Sequence, residues 1–461
     1  MELLSPDVTV FEDAKPELKK LLALSQPLPK PICLTTLRKL VTDGHPGLRA
    51  GVQHWIPGQA RDDTLNAEVI INEINTLDMQ KLARLESFIL PAFAQMEFKG
   101  LYFNASRWRK HLSSLNIKLE TLRKEAKNLL GSSKHLNLFG ESELNLDSGV
   151  EVKKALEKLL GRSLPNTNHS TLQSIQHPAT QALLGYRELA KLINTYGENF
   201  LEHVNPSTSR IHAIFEPLGT STGRVACHSP NLQNLPSDAE FQACLNPPAG
   251  RVLVSADYSG CELRVLADFC QDPIFLKAFE SDVDLHAQVA QELFGSKEHR
   301  AKAKVINFGL IYGMGSRSLA HSLDVSQHEA ERVLAHYFQK HPRINSFLKH
   351  CVESVYKQGY AQTRLGRRLY LDTNKDISRI AKNMPIQGTA AEIAKLAMIR
   401  IHSALKKHPD AFLVNMIHDE FVVECPEQDA GAIAAILKEQ MEIAQKTITP
   451  RVRPKAETST L

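Results

Sequence analysis

The stretch from Ala411 to Cys425 constrains the fold of this chain more than any other. Two strand-like apolar runs, Ala411-Phe-Leu-Val-Asn-Met-Ile417 and Phe421-Val-Val-Glu-Cys425, flank His418-Asp419-Glu420. The pattern predicts a β-hairpin with acidic residues at its tip. A third run, Arg251-Val-Leu-Val-Ser-Ala256, is a short apolar strand that leads into Asp257, 162 positions before Asp419. A sheet that sets these ends side by side presents two or three carboxylates to solvent. Hard oxygen ligands of this kind select magnesium, and two such ions ~3.5–4 Å apart hold the attacking and leaving oxygens of a phosphoryl transfer in line. An isolated aspartate at a strand end is also a common turn or cap residue, so each acidic site alone leaves that reading open.

The rest of the chain narrows the class. Its 461 residues, 43% hydrophobic and 23% charged, suffice for a sizeable core and about three domains. The apolar runs are far shorter than the ~20 residues of a membrane span, and Met1-Glu-Leu-Leu-Ser-Pro-Asp7 lacks the layout of a secretory signal, so a soluble cytosolic protein is expected. Seven cysteines without a CxxC pair favour neither a disulfide framework nor a zinc ribbon. The net charge of +4 is uninformative by itself, but Lys99–Arg162 holds 13 Lys/Arg against 7 Asp/Glu.

Residues 1 to about 90 do not read as a compact domain. Prolines 16, 27, 29 and 31 interrupt the start, and 43–64, rich in glycine and without helical or strand period, reads as a loop or insertion. A helical period then runs from Leu82 to Met96 and stops at Lys99-Gly100, which places a boundary near 80–90. Asn104 to Ser106 can cap the next helix, whose stripe Leu112, Leu115, Leu119, Leu122, Ala126 and Leu129 alternates steps of three and four. Lys and Arg surround that stripe. They are either the solvated face of an amphipathic helix or an arm that grips a nucleic-acid backbone. Further helices are expected at 150–160, 171–199 and 262–269, with a helix-rich stretch from about 285 to 405.

Two rows of side chains recur at steps of four. Arg300, Lys304, Phe308 and Tyr312 place two cations and two aromatics on one slowly drifting helix face, suited to a triphosphate and a stacked base or sugar. The glycines of Asn307-Phe-Gly-Leu-Ile-Tyr-Gly-Met-Gly315 permit close approach and cost helix stability. Arg379, Asn383 and Gln387, followed by Gly388, form a polar row able to meet minor-groove acceptors. Thr220-Ser-Thr-Gly-Arg224 and Asn231-Leu-Gln233-Asn234 make a polar loop with one cation. An ordinary amphipathic or solvated face explains each row equally well in isolation.

In combination these strings resemble a known family. Asp257-Tyr-Ser-Gly-Cys-Glu-Leu-Arg264, Arg300-x3-Lys304-x3-Phe308-Gly-x2-Tyr312-Gly313 and His418-Asp-Glu420 are similar, in this order, to motifs A, B and C of the family A DNA polymerases, the bacterial polymerase I type. Thr220-x2-Gly-Arg224 with Pro230-Asn-Leu-Gln-Asn234, and Arg379-x3-Asn383-x3-Gln387-Gly388, match further family stretches, and the similarity runs from about residue 80 almost to the end. The resemblance implies an α+β right-hand fold. A helical thumb is expected at 89–199, an antiparallel-sheet palm at 200–267 and 367–461, and helical fingers at 268–366, behind an eroded segment or linker at 1–88.

The resemblance also implies roles. Asp257, Asp419 and the Tyr258 carbonyl would hold two Mg2+ ions, with Glu420 beside them. Arg300 and Lys304 would bind the incoming triphosphate, Lys304 as the acid for the pyrophosphate leaving group. Phe308 and Tyr312 would face the nascent pair, and Glu262 would exclude a 2′-hydroxyl. Arg224, Asn231, Gln233, Arg379, Asn383, Gln387 and His418 would contact DNA. The expected partners are primer-template DNA and deoxynucleoside triphosphates, for a monomer in a bacterial cytoplasm or nucleoid, with no membrane.

Several features depart from the family pattern. Motif A has Gly260-Cys261 where glutamine and isoleucine are usual, read as a packing change, and the fingers look short at Ser296-Lys-Glu298. Lys455-Ala-Glu-Thr-Ser-Thr-Leu461 stops where relatives continue into a final strand and short helix, so a weakened palm is expected. Residues 1–88 lack the Asp-x-Glu start and spaced aspartates of a 3′–5′ exonuclease, and no 5′ nuclease is expected. The segment His54 to Asp63 resembles a peptide translated from bacterial interspersed repeats. Rival readings are a non-catalytic DNA-binding remnant and a single-subunit RNA polymerase; intact Asp257, Asp419, Arg300 and Lys304 argue against the first, Glu262 and Gln387 against the second.

Overall fold

The acidic hairpin forms, inside a four-stranded sheet. In this computed structural model, which describes residues 8–11, 15, 19, 30–33, 78–131 and 144–461, the elements around the site are β1 (Arg251–Tyr258), α1 (Cys261–Cys270), α2 (Arg300–Ile311), α3 (Ser378–Leu405), β2 (Phe412–Ile417), β3 (Glu420–Pro426), α4 (Ala430–Ile448) and β4 (Ala456–Thr460). The sheet order is β2-β3-β1-β4, and every pairing is antiparallel. β1 is therefore a central strand, consistent with its apolar run. Val254, Ala256 and Tyr258 alternate onto one buried face, where the Tyr258 hydroxyl donates to the Met441 carbonyl of α4 at 2.6 Å. The period of two sends Asp257 to the opposite face. Leu413, Phe421 and Val423 are fully buried, each contributing about 1.5–3 kcal/mol through removal from water.

β4 corrects an expectation. The segment 455–461 is expected to stop where relatives continue into a final strand, yet residues 456–460 pair with β1 from Tyr258 to Val254. Their polar composition suits a sheet edge: only Ala456 is buried, and the Ser459 and Ser255 hydroxyls meet at 2.8 Å.

The chain divides into two compact units, one from Met1–Gly100, Ala213–Asn234 and Pro247–Leu461, the other from Leu101–His212 and Leu235–Asn246. In the first, the single helix expected over 82–99 is two, Gln80–Phe88 and Leu90–Lys99, with Pro91 at the start of the second, where a proline lacks only an N–H that no carbonyl needs. The second packs on β2. Residues 8–11 and 30–33 pair as short parallel strands, so part of the opening segment is ordered into a sheet. The loop expected at 43–64 lies outside the described residues.

In the second unit the leucine stripe becomes the helix Ala105–Leu129, started as expected by Asn104, whose side chain accepts from the Arg107 amide at 2.9 Å. Its N-terminal half buries Trp108 among Phe103, Tyr196, Phe200 and Phe241, and the indole N–H donates to the Tyr196 carbonyl. Its C-terminal half packs Leu119, Leu122 and Leu129 on a core shared with Gly149–Leu160 and Pro178–Tyr196. The expected helix at 171–199 is divided into His169–Gln173, Pro178–Tyr196 and Glu198–Leu201. Lys110, Lys118 and Lys124 remain exposed on the long helix, whereas Arg107 and Arg109 pair with Glu240 and Glu198.

Candidate active site

Strand register, rather than proximity in sequence, assembles the carboxylates. Glu420, the first residue of β3, is the cross-strand partner of Asp257, and Asp419 precedes it in the two-residue turn of the hairpin. On the other side of β1, Glu457 of β4 is also registered with Asp257. Directly paired residues share a face, so Glu420, Asp257 and Glu457 form one acidic row across three strands. Glu457 was not anticipated; its signal, alternation within a polar run, is too weak to announce a strand. The turn itself is strained. His418 adopts φ +59°, a left-handed conformation that costs a residue with a Cβ about 1–2 kcal/mol. Strain of this order persists at functional turns when the surrounding structure imposes it.

Asp257, Asp419 and Glu420 resist ionisation. Lost hydration, then the charges of Asp419 and Glu420, push the Asp257 carboxyl up to about 7, although much of the residue is open to solvent. Burial likewise raises Asp419, and burial and Asp419 raise Glu420 against a hydrogen bond from Ser255. Among the described residues no Lys or Arg forms an ion pair with Asp257. Glu457 at the edge of the row pairs with Lys455 at 3.2 Å; the like charges of Asp257, Asp419 and Glu420, raised by burial, are the environment a divalent cation relieves. Among the described residues no group of three or more His, Cys, Asp or Glu side chains is placed to hold a metal ion by itself. An open set of two carboxylates and a carbonyl instead suits magnesium, which keeps waters and substrate oxygens in its shell. The residues present therefore fit the ion.

A cavity of about 490 Å³ opens on Asp257 and Asp419, lined also by Arg224, Glu262, Phe308, Tyr312 and His418 among others. Gly260 and Cys261 line it too, with the Cys261 side chain buried at the start of α1 as a packing residue. Glu262, 7% exposed, receives Arg224 Nη2 on Oε1 at 2.5 Å and the Tyr312 hydroxyl on Oε2 at 2.8 Å. Burial raises the Glu262 carboxyl while Arg224 and Tyr312 hold it down, and burial with the nearby Glu262 charge pushes the Tyr312 phenol up to about 12. The Phe308 and Tyr312 rings are stacked, with centroids 6.5 Å apart.

Other expected residues flank the cavity rather than line it. Arg300 and Lys304 are exposed on α2, and Arg300 Nε pairs with Asp284 at 2.6 Å. Arg379, Asn383 and Gln387 follow one another along α3, Arg379 exposed and the two amides half-buried. The glycines at the end of α2 do permit close approach. A Cβ at Gly313, whose φ is +66°, would stand 2.8 Å from the Arg379 Cα, so only glycine lets this loop meet α3. Gln233 has a scaffolding task instead of a free amide. It is buried and donates to the Met416 carbonyl at 3.1 Å, while Asn415 donates to the Leu232 carbonyl at 3.0 Å. Asn231 stays exposed, its side chain accepting from the Gln233 amide.

Residues 105–460 match the family model of DNA polymerase family A. The chain belongs to DNA polymerase family A. Among the family's curated members it is 31% identical over 389 residues to DNA polymerase I of Caldicellulosiruptor bescii, covering 80% of this chain and 45% of that protein. It is 33% identical over 377 residues to DNA polymerase I of Borreliella burgdorferi, covering 76% of this chain and 40% of that protein. This family A chain thus aligns with less than half the length of either relative. Its fold is similar to the POL domain of Pol1 from M. smegmatis, solved in complex with DNA primer-template and dNTP, with a TM-score of 0.84 at 25% identity over 97% of this chain and 84% of that one. The α+β right-hand fold class follows from that likeness. No described helix is long and apolar enough to cross a membrane.

Proposed function

We propose that this chain performs template-directed DNA synthesis, adding deoxynucleoside triphosphates to a primer 3′-hydroxyl with release of pyrophosphate. The observation that carries the reading is the cavity in which the Asp257–Glu420 register, Asp419 and the Arg224–Glu262–Tyr312 cluster converge. Two Mg2+ ions held by Asp257, Asp419 and the Tyr258 carbonyl would supply stabilisation of the attacking alkoxide and of charge on the leaving group. The protein's remaining work is positioning and charge neutralisation. The primer 3′-hydroxyl gives up its proton to water and its oxygen bonds to the α-phosphorus, while the bond from that phosphorus to the α–β bridging oxygen breaks and its electron pair leaves with pyrophosphate.

Arg300 exchanges Asp284 for the triphosphate, and Lys304 neutralises the same group and gives a proton to the departing pyrophosphate. Phe308 and Tyr312 offer flat faces to the nascent pair, and Glu262 closes the space a 2′-hydroxyl needs. Arg224, Gln387, Asn383 and Arg379 accept any correct pair, because minor-groove acceptors sit at similar places in all of them. His418, at the strained turn, contacts the primer end. In the proposed thumb, 89–199, Lys110, Lys118 and Lys124 track duplex phosphates. Palm and fingers are assigned to 200–267 with 367–461 and to 268–366. Residues 1–88 carry no exonuclease signature, so the reading is synthesis without proofreading by this chain, as a monomer in a bacterial cytoplasm.

Primer extension with magnesium, comparing deoxy- and ribonucleotides and including Asp419→Ala, tests the reading. Extension with deoxynucleotides that Asp419→Ala abolishes is the expected result. No extension at any magnesium level by the unaltered chain overturns it.

A further inference from the structure

Four charged side chains lie buried together away from the cavity, and none of the proposed steps uses them. Glu86 and Lys395 are 0% exposed, Glu392 1% and Arg367 7%. Lys395 Nζ donates to both Glu86 oxygens at 2.6 and 2.8 Å, and Arg367 Nη2 donates to Glu86 Oε1. Glu392 accepts from the Thr363 hydroxyl and, at 3.1 Å, from the Leu365 amide, while the Thr363 hydroxyl accepts from the Arg367 amide at 3.0 Å. Burying ions costs several kcal/mol each, and apolar residues of similar volume often replace such groups without loss. Stability alone is a poor reason for this cluster.

Its outer edge suggests another. The 363–367 turn it holds is pressed against the polar loop and against α3. A Cβ at Gly223 would stand 2.7 Å from the Arg367 Cζ, and one at Gly388 would stand 2.9 Å from the Thr222 carbonyl oxygen. Arg367 Nε finds no acceptor, so Arg367 gives the loop a flat surface rather than a hydrogen bond. Gly223 has φ +85° and closes a turn, its amide donating to the Thr220 carbonyl at 3.0 Å while the Thr220 hydroxyl donates to the Arg224 carbonyl at 3.0 Å. The next residue is Arg224, whose guanidinium holds Glu262. A continuous path thus runs from Lys395 through Glu86, Arg367 and the Gly223 turn to Arg224 and Glu262.

We propose that Arg367 is a positioning residue: clamped by Glu86 and Lys395, it fixes the turn that aims Arg224 at Glu262, and so sets how closely the cavity fits the sugar of the incoming nucleotide. The inference rests on the reading of Glu262 as the group that sorts sugars. Arg367→Lys keeps the charge and loses the flat fork. Glu86→Gln keeps the shape and loses the clamping charge. Arg251→Met is the comparator, because it breaks a similar ion pair with the buried Glu424 (2.5 Å) at the start of β1, outside this path.

Single-nucleotide incorporation reads the ratio of kcat/KM for deoxy- over ribonucleotide. Both cluster variants lower it at least fivefold, through KM for the deoxynucleotide more than through kcat, and Arg251→Met leaves it unchanged. An unchanged ratio in the cluster variants, or an equal fall in Arg251→Met, overturns the proposal. Hydrogen exchange at residues 219–226 without substrate gives a second readout. The cluster variants speed it at least tenfold and Arg251→Met does not; unaltered protection overturns the proposal whether or not nucleotides are incorporated. Absence of incorporation by the unaltered chain overturns the functional reading instead, and exchange then decides on the clamp.

Discussion

Replacing Asp257 by asparagine should make the protein more stable while disabling its proposed chemistry. Asp257 has its carboxyl pushed from an ordinary 3.8 to about 7, chiefly by lost hydration and then by Asp419 and Glu420. A carboxyl that binds its proton more tightly folded than unfolded adds stability only when protonated. As pH rises from about 4 to about 7, the unfolded chain ionises first and that contribution is lost. Three units at ~1.36 kcal/mol each set a ceiling of about 4 kcal/mol. The residue is open to solvent, and screening brings the expectation down to about 1–2 kcal/mol.

Thermal melts in a chelator check this. At pH 8 Asp257→Asn should melt higher by roughly 2–8 °C, at about 2–4 °C per kcal/mol for a sizeable domain. The advantage should shrink between pH 7 and pH 4. Magnesium should raise the melting temperature of the unaltered chain and leave the variant where it was, because a ligand stabilises only the state that binds it. A variant no more stable than the parent at pH 8, or an advantage that does not depend on pH, would refute the account of a carboxylate cluster held together against repulsion.

Three further outcomes are expected. Glu262→Ala removes the group that Arg224 and Tyr312 hold in place and admits ribonucleotides, with discrimination falling by roughly 10–200-fold in single-nucleotide incorporation; unchanged discrimination removes Glu262 from this role. Phe308→Tyr places a hydroxyl at the cavity and improves use of dideoxynucleotides, by roughly 10–150-fold if it makes one hydrogen bond to a charged phosphate; equal incorporation ratios count against it. His418→Gly relieves the left-handed turn, raising stability by roughly 0.5–1 kcal/mol in chemical denaturation and slowing primer extension, whereas a loss of stability contradicts the strain argument.

What could be read from residues alone was whatever local chemistry dictates. The apolar runs around His418-Asp419-Glu420 and before Asp257 became strands because alternation and β-branched content act locally. The cap at Asn104 is equally local. Register is not: nothing in the spacing of 163 positions says that Glu420 stands opposite Asp257, and nothing in Glu-Thr-Ser-Thr announces β4, because an edge strand needs few apolar residues. Gln233 reads as a free amide until Met416 is brought to it. Lys395, on a helix buried over most of its length, reads as a surface lysine because its partner, Glu86, is over 300 positions away. The pairs that shape the cavity, Arg224 with Glu262 and Glu262 with Tyr312, are likewise products of the fold.

The last strand has a consequence for how the molecule comes to be made. Ser255 and Ser459 meet across 204 positions, and Asp257 sits in a strand whose second neighbour, β4, is the last element synthesised among those described. Such distant pairings form late, because the loop between them must be closed before they are rewarded. A chain emerging from the ribosome can build its helices and its hairpin while β1 still shows an open edge, which is also when stray strand pairing is most dangerous. Completion of the acidic row therefore waits for β4, and the strand that bears Asp257 gains both its neighbours only after the chain has grown about 200 residues beyond it.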